Sequence, residues 1–311
     1  PNRLPKKAPP SSARPSFTDV GSLEKPLLYS RLPLQTDIKR PQTPVRITLL
    51  TNRDLASNFA LNLLLPQLSS SHELHVFCSD RVGSKPAAPG LATASFYEQT
   101  LPLELLFPLI DAQPKHGELL TFQGLNPFLL APIASLNQPN STEGLGTLAA
   151  TEPDLVISIR YGCILEAAAL SIPTKGVLNL HSGRLPEYRG VMATFRAMLA
   201  GDEKLCSTLH WIDDATIDTG RIIGIQSQDR APQQCYLANT IGLYKAGCSA
   251  ILEAVGVLEA GQDPAAQAPN TEGCYYSFPD EDCLETFAQA GHQWANPKFV
   301  TALLSRYLPG N

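Results

Sequence analysis

Residues 176–190 read GVLNLHSGRLPEYRG. The run opens with apolar and β-branched residues, which is typical of a short buried strand, and the polar Asn179 and His181 stand near the end of that strand. In an open α/β sheet, ligands bind outside the carboxyl ends of the parallel strands. The stretch therefore predicts a strand of an α/β sheet that carries polar site residues.

The rest of the chain alternates between strand and helix patterns. This predicts an α/β fold, a Rossmann-like twisted sheet of parallel or mixed strands flanked by helices. No Gly-x-Gly-x-x-Gly and no Gly-x-x-x-x-Gly-Lys-Ser/Thr motif occurs, which argues against a nicotinamide dehydrogenase and a P-loop enzyme. Further strands are expected at 45–52, 72–80, 153–159, 207–212 and 221–226, and helices after Asp54, at 101–110, 165–170, 191–199 and 237–258, and from Asp280 onward.

A second motif, Asp218-Thr219-Gly220, begins 37 residues after His181. By itself Asp-Thr-Gly is a common turn, and a single His at a strand end is usually structural. The joint pattern of Asn-x-His, Leu-Pro-x-Tyr-Arg-Gly and Asp-Thr-Gly is more specific. With it the chain resembles the folate-dependent formyltransferases, with good motifs over 153–227 and a looser likeness over 45–52. The resemblance implies the formyltransferase fold.

The resemblance also implies a reaction and its catalytic residues. A formyl group would pass from 10-formyltetrahydrofolate to an acceptor amine through a tetrahedral intermediate that carries an oxyanion. Asn179 would donate an N–H to the oxyanion. His181 would stabilise the same charge and help to move the proton of the attacking amine. Asp218 would orient His181 and transfer a proton toward the folate nitrogen. No metal and no covalent intermediate are expected.

The folate-lining positions are likewise carried over from the family. The loop after the strand near 153–159 would read the edge of the pterin ring, and apolar side chains would enclose it. From the residues alone, the same stretch is an ordinary core strand and turn. The folate-lining residues implied are Tyr161, Gly162, Ile164 and Leu165, with Asp214 and Ile217 on the facing loop.

One departure from the family pattern concerns the acceptor. Where the family usually has Ser-Leu-Leu-Pro, residues 183–186 read Gly-Arg-Leu-Pro. Arg184 adds a planar cation suited to a carboxylate or a phosphate, so an anionic acceptor is expected, although a solvent-facing Arg184 without a ligand is an equal reading. Tyr188, Arg189 and Asn52 are the other predicted acceptor-binding residues.

The acceptor class is predicted from the length of chain after Asp218. Only 93 residues follow it, which leaves no room for the β-barrel domain of tRNA-directed members. A small-molecule amine is therefore expected, either an amino-sugar nucleotide or a modified amino acid such as hydroxyornithine. The alternatives are a 10-formyltetrahydrofolate hydrolase, a methionyl-tRNA formyltransferase-like enzyme without the C-terminal domain, and a non-catalytic folate-binding protein.

Composition sets the domain and compartment expectations. Residues 1–44 are rich in Pro and Ser and carry eight Lys or Arg against three Asp or Glu, so a flexible basic tail is predicted before one catalytic domain at 45–311 with a C-terminal helical extension. The remaining chain has a net charge of −10, which argues against nucleic acid as a partner. Seven scattered cysteines favour a reducing cytoplasm, and no membrane span or signal peptide is expected. A homodimer is left open.

Overall fold

A seven-stranded mixed sheet forms the centre of the computed structural model, which describes residues 44–80, 88–231 and 235–309. The strand order is β3-β2-β1-β4-β5-β7-β8. The first five strands are parallel, and β7 and β8 join antiparallel. This confirms the predicted fold class, while the predicted tail, except Pro44, lies outside the described residues. The strands are β1 Arg46–Asn52, β2 Glu73–Ser79, β3 Ala134–Ser135, β4 Leu155–Ile159, β5 Val177–His181, β7 Lys204–Trp211 and β8 Ile222–Asp229.

Nine α-helices and a separate pair of short strands complete the described part of the chain. The short strands β6 (Arg189–Gly190) and β9 (Tyr275–Tyr276) pair in parallel. The segment between α2 and α3, Phe96–Leu106, has wider π-helical turns and contains Pro102, which lacks the N–H that a regular α-turn uses. The helices are α1 Leu55–Leu68, α2 Ala92–Ser95, α3 Phe107–Asp111, α4 Thr142–Ala149, α5 Ala167–Leu170, α6 Ala193–Ala200, α7 Tyr236–Glu259, α8 Glu281–Gln289 and α9 Pro297–Ser305.

The two faces of the sheet are covered differently. On one face, Leu178 and Leu180 of β5 and Leu209 of β7 belong to the core that includes α1 and α7. On the other face, Val156 and Val177 pack with Leu148, Leu165 and Ala169 from the region of α4 and α5. Because side chains alternate along a strand, Asn179 and His181 share the face of Val177. We call this the polar face of β5.

Helix α7 is apolar over most of its length. By length and composition it could cross a membrane, but half of it is buried inside the fold, where it packs on β7, β8 and α1. It is a core helix in this structure.

The sequence patterns located most elements within a few residues. Asp54 caps α1 as predicted, since its carboxylate accepts the N–H of Ser57 at 2.7 Å. The helix expected at 101–110 is part of a longer helical segment that starts at Ala92, and the terminal helix expected from Asp280 is two helices, α8 and α9. The stretch between α3 and β4 contains β3 and α4, for which no strand or helix was expected.

Candidate active site

Three polar side chains meet on the polar face of β5. The antiparallel register pairs Asn179 with His210 and His181 with Thr208, so the facing side chains of each pair project to the same side. Asn179 Nδ2 lies 3.0 Å from His210 Nε2. His210 is almost completely buried, and its Nδ1–H donates to the carbonyl of Trp211 at 2.8 Å, which fixes the ring.

Asp218 joins this group from the loop between β7 and β8. Its Oδ1 lies 3.4 Å from both Asn179 Nδ2 and His210 Nε2. Its Oδ2 lies 3.4 Å from His181 Nδ1 and accepts the main-chain N–H of Gly190 at 2.8 Å. The structure therefore brings together the three predicted catalytic residues, and it adds His210 as a fourth. We call the three predicted catalytic residues together with His210 the triad cluster.

The imidazole of His181 faces oxygen acceptors at both nitrogens. Nε2 lies 2.6 Å from the carbonyl oxygen of Tyr188, and Nδ1 faces Asp218. A carbonyl can only accept, so Nε2 carries a proton in this arrangement. The ring can donate to both partners only when it holds both protons, which suits a group that stabilises a developing negative charge.

The surroundings of Asp218 favour its ionised form. Burial by itself disfavours a charged carboxyl group, but His181, His210 and the N–H of Gly190 lower the pKa of Asp218 to about 2. The carboxylate is therefore ionised at any physiological pH. It is available as a fixed negative charge that orients two imidazoles.

The Asp-Thr-Gly turn gives Asp218 its position. Asp218 has a φ of 54°, in the left-handed region that Asp and Asn tolerate better than most residues. A Cβ at Gly220 would lie 1.8 Å from the carbonyl oxygen of Trp211, so only glycine fits there. The motif is therefore a turn, as its residue types predict, and this turn presents the Asp218 carboxylate to the cluster. The catalytic role of Asp218 stays a prediction.

Residues 183–190 cover the cluster. Thr208 fastens this segment to β7, since its hydroxyl donates to the carbonyl of Gly183 at 2.7 Å and accepts the N–H of Leu185 at 3.2 Å. A Cβ at Gly183 would lie 2.9 Å from His181 Nε2 and 2.4 Å from the Cβ of Ala193. The glycine that replaces the family's serine therefore lets α6 approach the imidazole.

The predicted folate-lining residues lie near the cluster to different degrees. Leu165 is buried in the apolar group around Val177, and Tyr161 and Ile212 pack against that group. The Tyr161 hydroxyl donates to the carbonyl of Leu136 at 2.6 Å, and burial raises the pKa of that phenol. This apolar group adjoins Asn179 on the polar face of β5.

The other four predicted folate-lining residues have varied surroundings. Ile164 is about half exposed, and the N–H of Gly162 donates to Ser79 Oγ at 2.9 Å. The exposed Asp214 accepts the N–H of Thr216 at 2.7 Å. The carbonyl of Ile217 accepts Arg189 Nε at 3.0 Å.

The predicted acceptor-binding residues are not gathered in one place. The phenol of Tyr188 donates to Asp202 at 2.9 Å, so only its main-chain carbonyl reaches the cluster. Arg184 is exposed and lies beside the Cys206 thiol, two residues along β7 from Thr208, which pairs with His181. Arg189 lies against the Asp218 loop, since its Nε donates to the carbonyl of Ile217. Of these two arginines, Arg189 is therefore the one that is hydrogen-bonded to the loop that carries Asp218.

Asn52 belongs to a second buried group, at the ends of β1 and β4. These strands lie where the strand order of the sheet reverses. Asn52 Nδ2 donates to Asp54 Oδ2 at 2.9 Å, and the same oxygen accepts Arg160 Nε at 2.9 Å. Arg160 Nη2 lies 3.2 Å from Glu98 Oε2. We call Asp54, Glu98 and Arg160 the arginine cluster.

Glu98 is the member of the arginine cluster with the most unusual environment. Its Oε1 is buried and has no hydrogen-bond partner among the described residues. Burial, with the nearby Asp54 carboxylate, raises the pKa of Glu98 to about 7, although Arg160 opposes the shift. Glu98 therefore changes its charge near neutral pH.

Sequence reasoning missed His210, Arg160 and Glu98. His210 could have been found by pairing the strand at 207–212 with the one at 176–180, since antiparallel pairing places it opposite Asn179. Glu98 gives no such signal, because its contact with Arg160 spans 62 residues and depends on how the π-helical segment packs. Among the described residues, no group of three or more His, Cys, Asp or Glu could hold a metal ion.

Comparison with known proteins shows which families and proteins have similar sequences. Residues 126–232 match the family model described as formyl transferase, a range that contains all four members of the triad cluster. The chain is 33% identical over 166 residues to methionyl-tRNA formyltransferase from Xanthomonas campestris, covering 53% of this chain and 52% of that protein. It is 31% identical over 176 residues to the enzyme of the same name from Frankia casuarinae, covering 56% and 50%. The chain spans about half the length of the curated relatives it matches.

A solved structure supports the fold. Glycinamide ribonucleotide transformylase 1 from Symbiobacterium toebii aligns with a TM-score of 0.50 and 15% identity over 73% of this chain and 95% of that one. At this identity the likeness concerns the fold alone. The family match over residues 126–232 is the comparison that confirms the resemblance predicted from the motifs.

Proposed function

We propose that this chain, which carries the formyl transferase signature at 126–232, transfers a formyl group from 10-formyltetrahydrofolate to the amine of a small-molecule acceptor. The observation that carries the proposal is the position of Asp218, within 3.4 Å of Asn179, His181 and His210 at once. Formyl transfer needs a donor for an oxyanion, a group that holds a proton and a fixed countercharge. The triad cluster provides each of these.

The reaction forms one bond, breaks one bond and moves one proton. The acceptor nitrogen attacks the formyl carbon, and the C=O double bond becomes an oxyanion. The bond from carbon to the folate nitrogen then breaks as the oxyanion collapses. The acceptor nitrogen loses one proton and the folate nitrogen gains one, so the overall reaction is balanced without another reactant.

His181 and Asn179 are the groups that would face the oxyanion. The Nε2–H of His181 now bonds to the Tyr188 carbonyl, and it would turn to the stronger, charged acceptor when that forms. Asn179 would free one N–H from His210 or Asp218 for the same purpose. Asp218 stays ionised and holds the His181 ring in position while the oxyanion exists.

The fit of folate rests on the apolar group beside the cluster. Leu165, Val177 and the partly buried Tyr161 and Ile212 supply an apolar wall on the same sheet face as Asn179. A flat heteroaromatic ring suits such a wall, and main-chain groups of the 161–165 loop could pair with its edge. We assign the pterin ring to this position.

The test is a direct assay with the full chain. The purified protein is incubated with 10-formyltetrahydrofolate and a pool of amines that includes amino sugars, amino-sugar nucleotides and hydroxyornithine. We expect tetrahydrofolate release together with one product that gains the mass of a formyl group. Tetrahydrofolate release with no formylated amine would identify a hydrolase, and the absence of both would refute the proposal.

Methionyl-tRNA is the second candidate acceptor. It is favoured by the two relatives that carry this activity in their names. The net charge of −10 beyond residue 44 argues against a large surface for nucleic acid, so we place it second. Charged methionyl-tRNA belongs in the same assay, and its formylation in preference to every small amine would reverse the order.

A further inference from the structure

A groove of about 550 Å³ lies beside the Asp218 loop. The loop supplies Thr216, Asp218 and Thr219, and the segment 269–272 forms the opposite wall. This volume lies within the range of about 300–1,000 Å³ that small-molecule sites occupy. A ligand here would touch the same loop that carries the catalytic carboxylate.

Arg189 is the single cation that lines this groove. Its guanidinium is held between the two walls, because Nε donates to the carbonyl of Ile217 at 3.0 Å and Nη1 donates to the carbonyl of Glu272 at 2.9 Å. Both partners are neutral carbonyls. Among the described residues, no carboxylate lies within ion-pair distance of this guanidinium, and its Nη2 makes no hydrogen bond to them.

Two acidic residues also line the groove. Asp218 directs its carboxylate oxygens to the triad cluster and to the N–H of Gly190. Glu272 is exposed, and its main-chain carbonyl accepts from Arg189. Thr216 of the loop and Asn270 of the opposite wall add hydroxyl and amide donors, while the Thr219 hydroxyl donates to the carbonyl of Thr216 at 3.2 Å.

We propose that this groove binds an anionic group, a carboxylate or a phosphate, on Arg189 beside the triad cluster. The proposal rests on the proposed function only for the identity of the molecule that carries the anion, of which there are two candidates. One source is the glutamate tail of the folate, and the other is an anionic group on the acceptor. A planar guanidinium with one free edge and neighbouring hydroxyls is suited to either.

The test avoids Arg189 itself, because that residue also joins the two walls. Asn270→Asp adds a negative charge to the wall without removing an Arg189 bond, and Gln123→Glu adds the same charge at an exposed position outside the groove. Calorimetry with inorganic pyrophosphate is the readout. We expect saturable millimolar binding to the parent, weakened about fivefold by Asn270→Asp and unchanged by Gln123→Glu. Melting temperatures check that both variants fold.

Two further titrations separate the sources. If the folate tail is the source, 5-formyltetrahydrofolate triglutamate binds more tightly than the monoglutamate and displaces pyrophosphate. If the acceptor is the source, the two folates bind alike and pyrophosphate still binds beside them. Absence of saturable pyrophosphate binding, or equal affinity in the parent and Asn270→Asp, overturns the groove proposal. Failure of the monoglutamate to bind contradicts the proposed function instead, since pyrophosphate binding does not depend on it.

Discussion

The ring Nε2 of His181 lies 2.6 Å from the main-chain carbonyl oxygen of Tyr188. This contact comes from the backbone, so no side-chain substitution at 188 removes the acceptor. It holds the imidazole plane while Asp218 holds the opposite nitrogen. Without a ligand, the imidazole ring therefore has an oxygen partner at each nitrogen.

The first prediction concerns the catalytic unit. Replacing Asn179 or His181 by Ala, or Asp218 by Asn, should lower kcat on the order of 10²–10⁴-fold, as for the loss of an oxyanion donor or an acid–base group. Asn suits the φ of 54° at 218 and removes only the charge. In a His181→Ala background, Asp218→Asn should cost much less than it does alone. Full activity in any single variant with an unchanged melting temperature would rule out the mechanism.

His210 should behave as a positioning residue. His210→Gln should lower kcat on the order of 10–100-fold, because displacing Asn179 and Asp218 by about 1 Å is enough for such a loss. The acceptor KM and the folate Kd should change little. The matched control is His116→Gln, at an exposed position. A change in KM alone would instead place His210 in contact with substrate.

A third prediction follows from the acidity of Asp218. Its pKa is lowered from 3.8 to about 2 in the folded protein, so its ionised form stabilises the fold above pH 3.8 and that contribution is lost as the pH falls toward 2. The contribution is about 2 kcal/mol. Denaturant unfolding of the parent and Asp218→Asn should show a stability difference that shrinks by this amount between pH 5 and pH 2. A difference independent of pH would contradict the assignment.

The pH dependence of stability that Glu98 causes has the opposite sign to that of Asp218. Its pKa is raised from 4.5 to about 7 in the folded protein, so the stability it contributes is complete below pH 4.5 and is lost as the pH rises through 7. Glu98→Gln should therefore gain stability relative to the parent between pH 4.5 and pH 8, on the order of 3 kcal/mol. Glu104→Gln, exposed on the same helical segment, serves as the control and should follow the parent.

The sheet could be predicted because it depends on local patterns, and Asn179, His181 and Asp218 could be named as candidate residues because their motifs resemble those of the formyltransferases. Apolar runs define β1, β4 and β5, and Asp218 and Gly220 are set by a turn whose chemistry is readable from four residues. His210 and Arg160 depend on register and on packing between distant segments. Such contacts leave no periodic signal in the chain.

Arg184 illustrates the same limit. Its residue type suggested an anion site, but its position depends on how 183–190 folds back over β7, which Thr208 decides through two hydrogen bonds. The expectation that Arg184 contacts the acceptor stays a prediction. Arg184→Leu tests it: a raised acceptor KM with unchanged folate affinity would support it, and parent behaviour would refute it.

The space around Gly183 restricts which residues can replace it. A serine there would meet His181 and Ala193 at once, at 2.9 Å and 2.4 Å from its Cβ. Gly183→Ser would therefore require both α6 and the imidazole to move. A smaller residue at position 193 would relieve only one of the two contacts, so the tolerance of position 183 is coupled to the helix and to the ring at the same time.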